Sequence, residues 1–132
     1  MAFRKSRIFT EGELEFMKVL WSLGEAAPEE IQKALEKKGR LLTYGTIRNV
    51  LVVMIEKGYV TRKKKGKVYF YQAKVGEVQA KKSMLQDLLE RAFNGSESHM
   101  VATLLNSREV QKDELQEIRR LIEEKKREEE RE

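Results

Sequence analysis

The sequence predicts a mostly α-helical chain in two parts, with residues 1–73 folding as three helices and a β-hairpin and residues 74–132 as helices alone. Three observations carry this. Apolar residues recur at helical spacing behind start signals at Thr10, Pro28 and Thr43. The period then shortens to that of a strand between Tyr59 and Gln72, and beyond Ala73 it returns to leucine-rich helical stripes.

The first helix opens with Thr10 and Glu13, a T-x-x-E capping box in which each side chain satisfies a free backbone N–H of the other. Leu14, Phe16, Met17, Val19, Leu20, Trp21 and Leu23 then cover so much of its circumference that burial on most sides is expected, and Gly24 ends it. Pro28 suits the first position of a second helix, whose Ile31, Ala34 and Leu35 form a narrow apolar face as far as about Lys38 before Gly39 stops it. Thr43 is the N-cap of a third helix that buries Ile47, Val50, Leu51, Met54 and Ile55, with Gly58 at its left-handed C′ position. Two β-branched and aromatic runs, Tyr59–Arg62 and Val68–Gln72, flank a turn of Lys63-Lys64-Lys65-Gly66-Lys67. Alternation along the second run places Phe70 in the core, with Tyr69 and Tyr71 at the hairpin's edge.

In the second part Val75, Val78, Leu85, Leu88, Leu89, Ala92 and Phe93 line one side of a helix of about five turns that Asn94 and Gly95 close. Ser96 or Ser98 caps a shorter helix carrying Met100, Val101, Leu104 and Leu105. A last helix from about Gln111 carries Leu115, Ile118, Leu121 and Ile122 before dissolving into the run EEKKREEERE, which is too polar to pack and is expected to be frayed or disordered at its end. No internal repeat is present.

Composition excludes much chemistry. The absence of cysteine rules out disulfides, thiolate metal sites and cysteine nucleophiles, and a single histidine, His99, cannot build a histidine-rich metal site. The acid pairs Glu29/Glu30 and Glu123/Glu124 fall on exposed helical surface, and neither a nucleophile–base set nor a phosphate-cradling glycine loop is present. No enzyme, catalytic residue, cofactor or metal is therefore expected. No apolar run approaches the roughly 20 residues of a membrane span, and MAFRKSRIF lacks an apolar signal core, so a cytoplasmic protein without a membrane partner is expected.

The net charge of +5 is unevenly divided. Residues 1–72 hold 15 Lys+Arg against 8 Asp+Glu, a net of +7, while residues 73–132 hold 12 against 14, a net of −2. Such segregation is expected where only one half must approach a polyanion. The order helix, helix, helix, hairpin is that of a winged helix-turn-helix domain, in which the third helix enters the major groove of DNA and the hairpin, or wing, leans on the adjacent backbone. Reading bases requires short polar or forked side chains near the start of that helix, opposite its apolar stripe. Thr43, Tyr44, Thr46, Arg48, Asn49 and Val52 are the candidates, Arg48 suited to guanine and Asn49 to adenine or a phosphate. Holding phosphates requires flexible cations, which Lys63, Lys64, Lys65 and Lys67 supply at the wing and Arg4, Lys5 and Arg7 in an N-terminal arm.

The second part is read as an all-α dimerisation domain. Three helices in about 60 residues bury too little of their apolar stripes alone, so two copies are expected to intertwine through Leu85, Leu88, Leu89, Phe93, Leu104, Leu115, Ile118 and Ile122. Domain boundaries at 1–73 and 74–132 follow. The rival reading is a winged-helix module for protein interaction, or an architectural nucleic-acid binder without sequence preference.

Two stretches, TEGELEFMKVLW and TYGTIRNVLVVMIEKGYVTRKKKGKVYFYQAKV, resemble the penicillinase repressor family, the repressors of β-lactamase and methicillin-resistance operons. The likeness runs over about residues 8–125 and rests on Thr46-Ile47-Arg48 ahead of Lys57-Gly58 and a basic wing ending in Tyr69-x-Tyr71. It implies a transcriptional repressor that binds double-stranded DNA as a homodimer on a palindromic operator, released by an effector or a regulatory protease that the sequence leaves unnamed. Departures limit what carries over. Val53 stands where the family often has arginine and Gly45 where lysine is common, so the operator sequence is not implied. The pair aligned with the Asn-Phe bond cut in antibiotic-responsive members is Thr103-Leu104, and the cysteine-rich end of copper-responsive members has no counterpart.

Overall fold

The computed structural model describes residues 9–131. Its elements follow in the order α1 (Glu11–Leu23), β1 (Glu25–Ala26), α2 (Pro28–Lys37), α3 (Tyr44–Glu56), β2 (Val60–Lys65), β3 (Val68–Ala73), α4 (Glu77–Phe93), α5 (Glu97–Ser107) and α6 (Lys112–Arg131). The described chain divides into two compact units after Asp87, inside α4.

The N-terminal unit is built on one apolar core. Phe16, Met17 and Leu20 of α1, Ile31 and Leu35 of α2, and Ile47, Leu51 and Met54 of α3 are fully buried together with Tyr59, Val60 and Tyr71 from the hairpin side. Each such side chain removes apolar surface worth roughly 1.5–3 kcal/mol from water. Local signals set where the helices begin. Thr10 Oγ1 accepts from Glu13 N at 3.1 Å, and Thr10 N donates to Glu13 Oε1 at 2.9 Å. Pro28 opens α2, and Thr43 caps α3 with its hydroxyl oxygen accepting from Thr46 N at 3.1 Å. Between α2 and α3 the chain is tied by Gln32 Nε2 donating to Leu42 O at 2.9 Å and by Arg40 pairing with Glu15 at 3.1 Å, which fixes the approach of α3.

The strands form one antiparallel sheet in the order β1-β3-β2. Two features of it differ from the sequence reading. The link after Gly24 contains β1, whose Glu25 and Ala26 lie opposite Gln72 and Tyr71; two residues are too few to show alternation. The hairpin turn is also tighter than five residues. Lys63, Lys64 and Lys65 belong to β2, opposite Phe70, Tyr69 and Val68, and only Gly66 and Lys67 form the turn, with Gly66 at φ +67°. This register decides the faces. Val60 is buried and faces Ala73, so the inward parity on β3 falls on Tyr71, which is 3% exposed, while Phe70 is half-buried on the other face. The expectation that Phe70 fills the core is corrected accordingly.

α4 begins within the N-terminal unit. Trp21 Nε1 donates to Val75 O at 2.8 Å just ahead of it, and Ala80 is buried in its second turn. In the C-terminal unit α4 closes with Asn94 at φ +50° and Gly95 at φ +82°, and Ser96, rather than Ser98, caps α5 by accepting from His99 N at 3.2 Å. Phe93 and His99 meet edge to face across this turn. The polar tail departs from expectation, since α6 stays helical through Arg131. Glu, Lys and Arg are strong helix formers, and Arg120 pairs with both Glu117 and Glu124 one turn either side.

Candidate nucleic-acid interface

α3 has two chemically distinct sides because Ile47, Leu51 and Met54 take the core side at 3- and 4-residue spacing. Tyr44, Gly45, Thr46, Arg48, Asn49, Val52, Val53 and Glu56 remain exposed, with Thr43 exposed at the cap. The six candidates Thr43, Tyr44, Thr46, Arg48, Asn49 and Val52 are therefore all on exposed positions of this helix or its start. They are not equally free. The Thr43 hydroxyl accepts from Thr46 N and donates to Thr46 Oγ1 at 2.9 Å, so Thr43 shapes the helix start, whereas Thr46 keeps its own hydroxyl proton for a partner. The Arg48 guanidinium lies 5.9 Å from the Tyr44 ring centroid, one turn away, which orients it along the helix.

The wing cations are likewise exposed but are distributed rather than clustered at a tip. Strand alternation puts Lys64 on one face of β2 and Lys63 and Lys65 on the other, with Lys67 in the turn. Lys65 is engaged, since its ammonium pairs with Glu25 of β1 and lies 5.1 Å from the Phe70 centroid. That hydrogen bond from Lys65 holds the Glu25 carboxyl below the usual carboxylate range, with Lys63 adding a smaller attraction. On the opposite face Tyr69 carries two cations over its ring, Arg62 at 4.2 Å and Lys64 at 5.7 Å. Arg62 was not among the sequence candidates. The signal was available, because in a six-residue strand Arg62 shares a face with Lys64, but a shorter strand and longer turn hid it.

A concavity of about 540 Å³ separates α3 from the wing, bordered by Tyr44 and Arg48 on one side, Tyr69 and Phe70 on another, and the start of α2. Lys67 of the turn and the carboxylates Glu29 and Glu30 of α2 also line it, so its border carries both signs of charge. Arg4, Lys5 and Arg7 lie outside the described residues.

The expected dimer residues are distributed along the last three helices. Leu85, Leu88, Leu104, Leu115 and Ile122 are exposed, Leu104 to 54%, and Leu89, Phe93 and Ile118 are half-buried. Among the described residues no cluster of His, Cys, Asp or Glu could hold a metal ion, and no helix is long and apolar enough to cross a membrane.

The penicillinase repressor family model matches residues 9–124. The penicillinase repressor of Bacillus licheniformis is 29% identical over 117 residues, covering 89% of this chain and 91% of that protein. The methicillin resistance regulatory protein MecI of Staphylococcus aureus (strain Mu50 / ATCC 700699) is 23% identical over 121 residues, 92% of this chain and 98% of its own. Among solved structures, the solution structure of the DNA binding domain of the repressor BlaI is 31% identical, with a TM-score of 0.48, and covers 54% of this chain and 85% of that one. With three helices, a three-stranded sheet and a family match extending from Phe9 into α6, the chain belongs to the penicillinase repressor family.

Proposed function

We propose that this protein is a transcriptional repressor that binds double-stranded DNA as a homodimer on a palindromic operator, with α3 in the major groove and the wing on the flanking backbone. The observation that carries the reading is the exposed polar side of α3 standing beside the basic hairpin across a shared concavity, in a chain whose relatives include two named penicillinase repressors. Thr46, Arg48 and Asn49 are the base readers, and Lys63, Lys64 and Lys67 the phosphate contacts.

Dimerisation is supported by what the last three helices leave uncovered. From Leu88 to Arg131 no described residue is buried, and Leu88, Leu104, Leu115, Leu121 and Ile122 each expose about half of their surface. Leaving so many large apolar side chains in water is unfavourable, and a second copy covers them without a new sequence. The 1–73 and 74–132 division then describes function more than folding, with reading in the first part and pairing in the second. A dyad-related protein also places two copies of α3 on two half-sites, which multiplies affinity through effective concentration.

Selection of sites from a random duplex pool tests this directly. An inverted repeat with half-sites one helical turn or a multiple apart is the expected product. Enrichment of no motif would favour an architectural binder, and a single unrepeated motif would contradict the dimer.

A further inference from the structure

Arg62 differs from the other cations of the wing in how it is held. Its guanidinium carbon lies 4.2 Å from the Tyr69 centroid, the shortest cation–ring distance among the described residues. The Tyr69 ring is itself fixed, being half-buried and packed against the N-terminal core, so it offers a rigid platform. Among the described residues no carboxylate pairs with Arg62, in contrast to Lys65, which Glu25 holds. The strand register sets Arg62 on the same face as Lys64, and Tyr69 borders the concavity that Tyr44 and Arg48 also line. A guanidinium lying over a ring keeps its edge N–H groups free, and those groups match two phosphate oxygens at once.

We propose that Arg62, stacked on Tyr69, is a DNA-backbone contact, and that Tyr69 is a positioning residue that pre-organises it. The proposal rests on the DNA-binding reading above and extends it to two residues. Holding the guanidinium over the ring reduces rotamer freedom before binding, so the phosphate contact costs less ordering when DNA arrives. The ring's attraction corresponds to roughly a two- to five-fold effect on affinity.

The test uses the full-length protein and a mixed-sequence DNA duplex, with the dissociation constant measured across a series of salt concentrations. Arg62→Gln is expected to weaken binding and flatten the salt slope by about one unit. Arg62→Lys should restore the slope but recover only part of the affinity. Tyr69→Leu should weaken binding roughly two- to five-fold in the wild-type background and by clearly less in the Arg62→Gln background, where only the more distant Lys64 still lies over the ring, while Tyr69→Phe, which keeps the ring, should retain the contact. Arg62 is exposed, so its two variants remain informative even where Tyr69→Leu lowers folding stability. An Arg62→Gln protein with wild-type slope would overturn the contact. An equal effect of Tyr69→Leu in both backgrounds would overturn the positioning role. A wild-type protein that binds no duplex would remove the DNA-binding reading itself, and this proposal with it, whereas the first two results leave that reading intact.

Discussion

Glu13 is 6% exposed and still satisfies both oxygens, one on the Thr10 backbone and the other on the Lys57 ammonium at 2.6 Å, so one side chain starts α1 and ties it to the end of α3. The hydrogen bond to Glu13 raises the Lys57 ammonium above the ordinary lysine value, and burial raises the Tyr59 phenol. Both shifts have the same sign. Above about pH 10 the unfolded chain releases protons that the folded chain retains, so the stabilisation is complete below that point and declines as pH rises through the alkaline range. The thermal midpoint should therefore fall above about pH 10. Lys57→Met should lower it at neutral pH and make the alkaline decline shallower, and equal slopes for the two proteins would contradict the Glu13–Lys57 account. At the same scale, Arg48→Ala should weaken a selected operator by about 1–3 kcal/mol while leaving random duplex less affected. Equal losses on both, measured by fluorescence anisotropy, would make Arg48 a backbone contact.

Glu25 shows how a two-residue strand bears on the wing. By neutralising Lys65 it competes with phosphate for that cation, so Glu25→Gln should tighten binding to every duplex and steepen the salt slope by about one unit. An unchanged slope would mean that Lys65 stays off the DNA. The helices of the N-terminal unit were legible in the sequence because their signals are local: Thr10 with Glu13, Pro28, and Thr43 each act within four residues. The wing was legible as a hairpin but not in its register. Which of Phe70 and Tyr71 turns inward depends on pairing between Val60 and Ala73 and on β1, contacts that alternation along one strand does not encode. The same error placed Lys63–Lys65 in a turn and left Arg62 unnoticed. α6 was misread for a different reason, since the polarity that argues against packing also brings high helix propensity and ion pairs such as Arg120 with Glu124.

Across the whole molecule the charge is divided between a basic N-terminal part and a slightly acidic C-terminal part, as the proposed division into reading and pairing requires. The apolar stripes of α4, α5 and α6 set the expectation for assembly. If the proposed dimer forms through them, Leu88→Asp should give monomers in sedimentation, because a carboxylate in an apolar seam loses its hydration, and an undiminished dimer would exclude that seam. The monomer should still bind duplex, but without the gain from two linked half-sites. The reading of a sequence-specific dimer is tested most directly by titrating a duplex carrying the selected inverted repeat, and a scrambled duplex of equal length, with the full-length protein at one salt concentration. Two chains per duplex and a preference of roughly 10³-fold or more are predicted; one chain per duplex, or equal affinity for both sequences, would contradict it.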